Sequence, residues 1–139
     1  MWTIETSSIT NVEKEKIWNL WIDVNKWNVW DEEVEHAEIL GSFEKGAKGI
    51  LKPKNGPKTN FEIVECQNFK SFTTRSVLPF CQMDFIHQLN QRDHQLEISH
   101  RVEMTGFMTF LFSKIIGENI KNGLPKAVET LVKLAEKSN

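Results

Sequence analysis

The sequence predicts an α+β fold in which one curved antiparallel sheet packs against a long C-terminal helix. Residues 36–105 contain short strand-like segments, and the connections between them are too short for crossover helices, so neighbouring strands must pair antiparallel. After Gly106 the apolar residues recur at spacings near 3 and 4, which indicates a helix. A sheet and a helix that are each apolar on one side can bury both sides by packing together. We expect residues 1–139 to form a single domain, since this length is ordinary for one.

The chain is predicted to begin with a strand and two short helices. Polar and apolar residues alternate over Trp2–Ile9, as in a half-buried strand. Thr10 with Glu13 three residues later fits a capping box for a helix that ends at about Ile22. Asp and Asn residues then interrupt the helical pattern, because both are poor in helix interiors. A second short helix is expected at roughly Asn25–Trp30.

Six further strands are predicted in the middle of the chain. Turns rich in Gly, Pro, Asn and Asp separate them, and the clearest is Lys54-Asn55-Gly56-Pro57, because Asn-Gly favours a tight hairpin turn. The predicted strands are residues 36–43, 49–53, 59–66, 71–78, 80–89 and 95–105.

The C-terminal segment Phe107–Lys137 would be about 46 Å long as one helix, at about 1.5 Å per residue. Gly117, Gly123 and Pro125 fall inside it, and these residue types predict a kink or two consecutive helices. The positions expected to face the core share one side of the helix, and they are Leu124, Val128 and Leu131.

Composition excludes several classes of function. The chain has 17 basic and 19 acidic residues with no basic patch, which argues against nucleic-acid binding. No apolar run approaches the ~18 residues of a membrane span, so no integral membrane association is expected. The N-terminus lacks the basic start and apolar core of a secretory signal, and the two Cys residues show no disulfide-scaffold spacing. We therefore expect a cytoplasmic protein with reduced thiols.

Tryptophan is concentrated near the N-terminus. Four of the five Trp residues lie within the 17 residues from Trp18 to Val34. Each indole can bury about 150–250 Å², so this cluster needs a large apolar surface. One interpretation is core packing of the short helices against the sheet. The other is that one or two indoles, above all Trp27 or Trp30, face the mouth of a cavity.

Several different motifs are spread along nearly the whole chain. They are Trp18, Asp23-x-x-x-Trp27-x-x-Trp30-Asp31, Gly41-x-Phe43-x-x-Gly46-x-x-Gly49, Lys54-Asn55-Gly56, Phe85-x-His87, His100 and Gly106. Together with the element order, these motifs resemble the START-like (SRPBCC) superfamily, also called the polyketide cyclase/dehydratase and Bet v allergen-like group. The resemblance implies a helix-grip fold, in which a curved antiparallel sheet wraps around a long C-terminal helix and leaves a mostly apolar cavity. Its members include carriers of sterols, lipids and flavonoids, ring-closing enzymes, quinone-binding proteins and chaperone cofactors, so the fold alone does not define the function.

Two histidines are the strongest chemical candidates. His87 and His100 each fall on the apolar face of a strand, and the two strands are expected to form a hairpin. This hairpin would place Phe85 opposite His100 and His87 opposite Ile98, within two residues of register. Both imidazoles should then be neighbours on the concave face of the sheet.

Three roles are open for this pair. It can be a satisfied structural pair, a ligand contact, or a site of acid–base or metal chemistry. Burial would lower the pKa of both rings, and each unpaired nitrogen would cost about 1–3 kcal/mol. A metal site would need a third ligand, and Cys81 lies too far along its strand. The sequence also lacks a Gly-rich phosphate loop, so we expect neither a metal ion nor an organic cofactor.

The predicted function is binding of a small hydrophobic or aromatic molecule in an internal cavity, as a carrier or sensor. His87 and His100 would orient a polar group of that molecule. The first alternative is a polyketide cyclase/dehydratase-like enzyme that uses a cavity His, and the second is a chaperone-cofactor-like interaction module. No catalytic residue is assigned. The predicted ligand-binding residues are His87, His100, Phe85, Met83, Phe61, Phe72, Trp30, Phe112 and Ile116, within a wall that extends over residues 112–119.

Overall fold

The computed structural model describes residues 1–137, and its centre is a seven-stranded antiparallel sheet. Strands that follow one another from β2 to β7 pair directly, and β1 pairs with β7, which gives the order β1-β7-β6-β5-β4-β3-β2. The strands are β1 Trp2–Thr10, β2 Val34–Leu40, β3 Lys48–Pro53, β4 Thr59–Gln67, β5 Ser71–Leu78, β6 Cys81–Arg92 and β7 Gln95–Thr105. The predicted antiparallel sheet is confirmed, although β2 begins and ends earlier than predicted.

Helices cover one side of this sheet. Between β1 and β2 lie α1 Lys14–Ile22, a 3₁₀ turn at Val24–Lys26 and α2 Trp27–Trp30. The C-terminal helix is α3 Thr109–Lys137. None of the helices in residues 1–137 has both the length and the apolar character needed to cross a lipid bilayer.

The predicted capping box is wrong. Glu13 is the N-cap of α1, and no side chain caps that end of the helix. Thr10 is instead the last residue of β1. Its hydroxyl donates to Oε2 of Glu136 at 3.0 Å and accepts from the Val12 N–H at 3.3 Å. Because β1 extends through Thr10, this side chain connects the strand to the end of α3 and is not available as a helix cap.

Of the two alternatives predicted for the C-terminal segment, a kink or two consecutive helices, the second is wrong, because α3 is one continuous helix with Pro125 inside it. The two glycines lie where neighbouring side chains approach the helix. A Cβ at Gly117 would lie 3.3 Å from the Trp2 indole, and one at Gly123 would lie 2.6 Å from Cγ of Glu33. Both glycines permit this close packing, and neither ends the helix.

Two apolar clusters form the interior. The larger one lies beneath α1 and α2 and contains the four clustered indoles together with Phe61, Phe72 and Leu131. The smaller one lies at the other end of the sheet and joins Met83, Val102 and Met104 to Leu124 of α3, with Phe85, Phe112 and Ile116 against it. Leu124, Val128 and Leu131 are all buried, as predicted.

Candidate ligand-binding cavity

A cavity of about 250 Å³ lies between the first half of α3 and the sheet. Its walls are mainly apolar, and its polar side chains are few. The apolar lining from α3 is Phe112, Ile115, Ile116, Ile120 and Leu124, and that from the strands is Leu51, Leu78, Met83 and Phe85. The turn between β3 and β4 forms part of the rim, and the polar lining consists of Asp31, Glu33, Asn55, Thr59 and Asn119.

A larger depression of about 490 Å³ lies on the opposite face of the sheet. It is open and mostly polar, and two of its residues form an ion pair with each other. Arg75 donates from Nε and Nη2 to the two carboxylate oxygens of Asp84, at 2.9 and 3.1 Å. Glu65 also lies here and accepts from Ser71 at 2.7 Å. This surface lacks the enclosed apolar walls that small-molecule sites usually have.

The nine predicted site residues are divided between the cavity and the core. Those that line the cavity are Met83, Phe85, Phe112 and Ile116. Those that belong to the larger core region and do not line the cavity are His87, His100, Phe61, Phe72 and Trp30. A ligand-binding role for these five stays a prediction.

The two histidines lie side by side in the sheet. His87 is directly opposite His100, and Phe85 is opposite Val102, so the true register differs from the predicted one by two residues. The ring centroids are 4.6 Å apart in an edge-on arrangement. Both side chains are almost inaccessible to solvent, with 7% of His87 and 3% of His100 exposed. The predicted direct-neighbour arrangement is therefore present, but it lies beneath the indoles of α1 and α2.

The surroundings keep both rings neutral. The indole N–H of Trp21 donates to Nε2 of His100 at 3.2 Å, so neutral His100 must carry its proton on Nδ1. His87 stacks on Phe72 with centroids 3.9 Å apart. Burial lowers the pKa of His87 to about 3, although the nearby backbone of Phe72 and Phe85 partly opposes this.

Burial, together with the neighbouring His87, also places the pKa of His100 well below its ordinary value. No hydrogen bond of normal geometry reaches Nδ1 of His87 within the described part of the chain.

All four clustered indoles are buried, and none of them lines the cavity. Trp27 stacks on Phe61 at 5.7 Å, and its N–H donates to the Trp21 carbonyl at 2.8 Å. Trp30 packs edge-on against His100 at 5.8 Å. This geometry favours the core-packing interpretation of the cluster over the cavity-mouth interpretation.

A half-buried carboxyl on the cavity wall is missing from the predicted site. Asp31 follows α2 directly, and its Oδ1 accepts from the Glu33 N–H at 3.0 Å. Burial is the main cause that raises the pKa of Asp31 to about 6, and the nearby charges of Glu33 and Glu32 add to it. The hydrogen bond from Glu33 acts in the opposite direction. The sequence signals for this group are its position directly after an aromatic helix and its place in the Trp27-x-x-Trp30-Asp31 motif. Neither reveals its burial, which depends on contacts distant in the chain.

No protein-family model matches this sequence, and no curated protein matches it either. Solved structures do match. A hypothetical protein from Helicobacter pylori superposes with a TM-score of 0.81 at 11% identity, over 96% of this chain and 87% of that one. Ara h 8.0201 gives a TM-score of 0.74 at 12% identity, over 99% of both chains.

Norcoclaurine synthase from Thalictrum flavum gives a TM-score of 0.73 at 13% identity, over 99% of this chain and 87% of that one. Identities this low carry information about the fold alone. The agreement nevertheless extends over almost every element, including the long C-terminal helix against the concave side of the sheet. The chain therefore shares the fold of these structures, a curved antiparallel sheet against a long C-terminal helix, which is the helix-grip arrangement.

Proposed function

We propose that this protein binds a small hydrophobic or aromatic molecule in the cavity between α3 and the sheet, as a carrier or sensor. The observation that supports this most directly is the mainly apolar wall of this partly open cavity, with a few polar groups in it, which is the usual design of a small-molecule site. The volume of about 250 Å³ is slightly below the range of about 300–1,000 Å³ for drug-sized sites. We therefore expect a compact ligand with few rings.

Four of the predicted residues would contact the apolar body of the ligand: Met83 and Phe85 from β6, and Phe112 and Ile116 from α3. The polar groups within reach of a ligand are those of the cavity lining, with Asp31 and Asn119 on opposite elements. His87 would have an indirect role. It lies two residues from Phe85 on the same strand, and its packing in the core would hold Phe85 in position on the cavity wall. A direct contact between the ligand and His87 or His100 stays a prediction.

Native mass spectrometry of the purified protein, followed by fluorescence titration, tests this proposal. The probe is N-phenyl-1-naphthylamine, a neutral aromatic molecule. Ile116→Trp should fill the cavity and weaken probe binding by at least about tenfold, because overpacking leaves no room for the rings. The matched control is Leu40→Trp on β2, an exposed position away from the cavity, and it should bind as the unaltered protein does. Equal binding by all three proteins would contradict the proposal.

A second candidate function is acid–base catalysis in the same cavity. Asp31 favours it, because a carboxyl whose pKa is about 6 exists in both protonation states near neutral pH and can donate or accept a proton. Acid–base work would then rest on this carboxyl and not on a histidine. The test is to incubate the protein with the compound recovered from it and to look for a change in mass or structure. Asp31→Asn should abolish that change even when the compound saturates the protein, because the amide cannot exchange a proton as the carboxyl can.

A further inference from the structure

An exposed apolar patch borders the cavity. Its members are Phe80 in the β5–β6 turn, Phe107 in the loop before α3, and Phe110 and Ile115 in the first turns of α3. Phe80 is 77% exposed and Phe107 is 81% exposed. The two segments lie side by side, since the Met108 N–H donates to the Phe80 carbonyl at 2.9 Å. Apolar side chains grouped in this way on a surface indicate an interaction site.

The conformation of Phe80 adds to this observation. Its φ angle is 53°, in the left-handed region that favours Gly or Asn and is unusual for a bulky side chain. The turn therefore carries an aromatic side chain on the surface at a position where stability alone would favour a smaller residue. A binding partner that buries the exposed ring would offset the cost of this unfavourable φ angle.

The patch is continuous with the interior of the cavity. Ile115 belongs to both, and Leu78, the last residue of β5 before the turn, also lines the cavity. A molecule that entered the cavity at this end would pass between the turn and α3. Whatever covers the patch therefore also faces the cavity mouth.

The charge around the patch has one sign. Residues 53–60, 77–82 and 106–117 contain Lys54, Lys58 and Lys114 and no Asp or Glu, although the whole chain carries a net charge of −2. All three Lys residues are exposed. Glu118 follows directly on α3, and Asp31 and Glu33 lie on the cavity wall. The rim of the patch itself is thus positive and complements an anionic surface.

We propose that this patch docks the protein onto an anionic lipid bilayer, with the cavity mouth toward the membrane. Exposed Phe and Ile side chains enter the interface between head groups and acyl chains, while the lysines lie near lipid phosphates. A two-fold dimer through the same patch would bring Lys58 and Lys114 of both copies together, which like-charge repulsion disfavours. This docking goes beyond the proposed function, because it requires no ligand in the cavity.

Vesicle co-sedimentation tests the docking. The unaltered protein should bind vesicles of phosphatidylcholine mixed with phosphatidylglycerol, and it should bind phosphatidylcholine alone more weakly. Phe80→Asn combined with Phe107→Ser should weaken binding by at least about tenfold, because apolar area no longer enters the interface. Asn tolerates the φ angle of residue 80, so the fold should persist, and circular dichroism checks this. Val29→Ser, at an exposed position on α2, is the matched control and should bind normally.

A second pair of variants separates charge from apolar insertion. Lys58→Gln and Lys114→Gln should each weaken binding to the anionic vesicles about fivefold and leave binding to phosphatidylcholine unchanged. The docking is overturned if the unaltered protein binds neither vesicle type, or if the Phe variants bind as well as the control. A dimer that dissociates on the Phe substitutions without any vesicle binding would show that a second copy covers the patch, and this also overturns the proposal. Failure of probe binding in the cavity would leave these outcomes unaffected.

Discussion

At the scale of single residues, the most informative groups are ionisable side chains whose pKa values burial shifts in the direction that favours the neutral form. Asp31 lies on the cavity wall, and its carboxylate accepts a hydrogen bond from the Glu33 N–H. His87 and His100 lie between apolar rings, and the Trp21 indole supplies a hydrogen bond to one of them. Burial shifts the pKa of each group in the direction that favours its uncharged form. The free energy of unfolding should therefore depend on pH.

Asp31 should make the protein less stable as pH rises. Its folded-state pKa of about 6 lies above the ordinary value of 3.8, so its contribution is fully present below about pH 4 and is lost as pH rises through about 6. Asp31→Asn keeps an acceptor for the Glu33 N–H and has no charge to bury. The variant should exceed the unaltered protein in unfolding free energy by about 1–3 kcal/mol at pH 8 and match it near pH 4. Urea unfolding at both pH values measures this, and a less stable variant at pH 8 would contradict it.

The histidine pair should act in the opposite direction. Its folded-state pKa values lie below the ordinary value of 6.5, so stability is complete above that pH and is lost as pH falls toward 3. His87→Phe can keep the stack on Phe72 and removes one of the two groups. The protein that keeps His87 loses unfolding free energy when the pH falls from 7 to 5. In His87→Phe this loss should be smaller by about 2 kcal/mol.

The measurement is urea unfolding in an Asp31→Asn background, which removes the opposing carboxyl. His94→Gln, in the exposed turn between β6 and β7, is the control, because it removes one His without disturbing the core. If the unfolding free energy of His87→Phe depends on pH as it does when His87 is present, the buried ring takes up a proton as easily as an exposed one.

At the scale of elements, α3 joins the two apolar clusters. Its first half forms the cavity wall with Phe112 and Ile116, and its second half fills the core with Val128 and Leu131. Gly117 and Gly123 allow Trp2 and Glu33 to approach the helix closely. The same helix therefore contributes to binding at one end and to stability at the other.

Leu131→Ala should lower the unfolding free energy by about 2–5 kcal/mol, since the side chain is fully buried and its removal leaves a cavity. Phe110→Ala, at an exposed position of the same helix that does not line the cavity, is the matched control and should change stability by no more than about 0.5 kcal/mol. Thermal or urea unfolding compares the two variants. A similar small effect at both positions would mean that α3 buries a different face.

At the scale of the whole molecule, the sheet has a central region and an edge. β6 and β7 have strands on both sides, whereas β2 pairs with β3 alone. The amides of β7 should therefore exchange with solvent more slowly than those of β2 by more than about tenfold, because edge amides open without disturbing the core. Hydrogen exchange followed by mass spectrometry tests this, and equal protection of the two strands would contradict it.

Local signals in the sequence were sufficient for the order and type of the elements. The Lys54-Asn55-Gly56 turn, the alternation in β7 and the helical spacing from Leu124 to Leu131 each depend on nearby residues, and each agrees with the structure. Four of the nine predicted site residues also line the cavity, because strand parity and helix phase determine which face a side chain occupies.

Tertiary structure decided what covers each face. The sequence places His87 and His100 on the concave side, but only the packing of the Trp21 and Trp30 indoles over them shows that they lie in the core and not on the cavity wall. The Thr10 hydroxyl donates a hydrogen bond to Glu136, 126 residues away, and so does not cap α1. Asp31 lies on the cavity wall among residues of β3, β6 and α3. Burial and pKa depend on contacts between residues far apart in the chain, and local periodicity carries no information about those contacts.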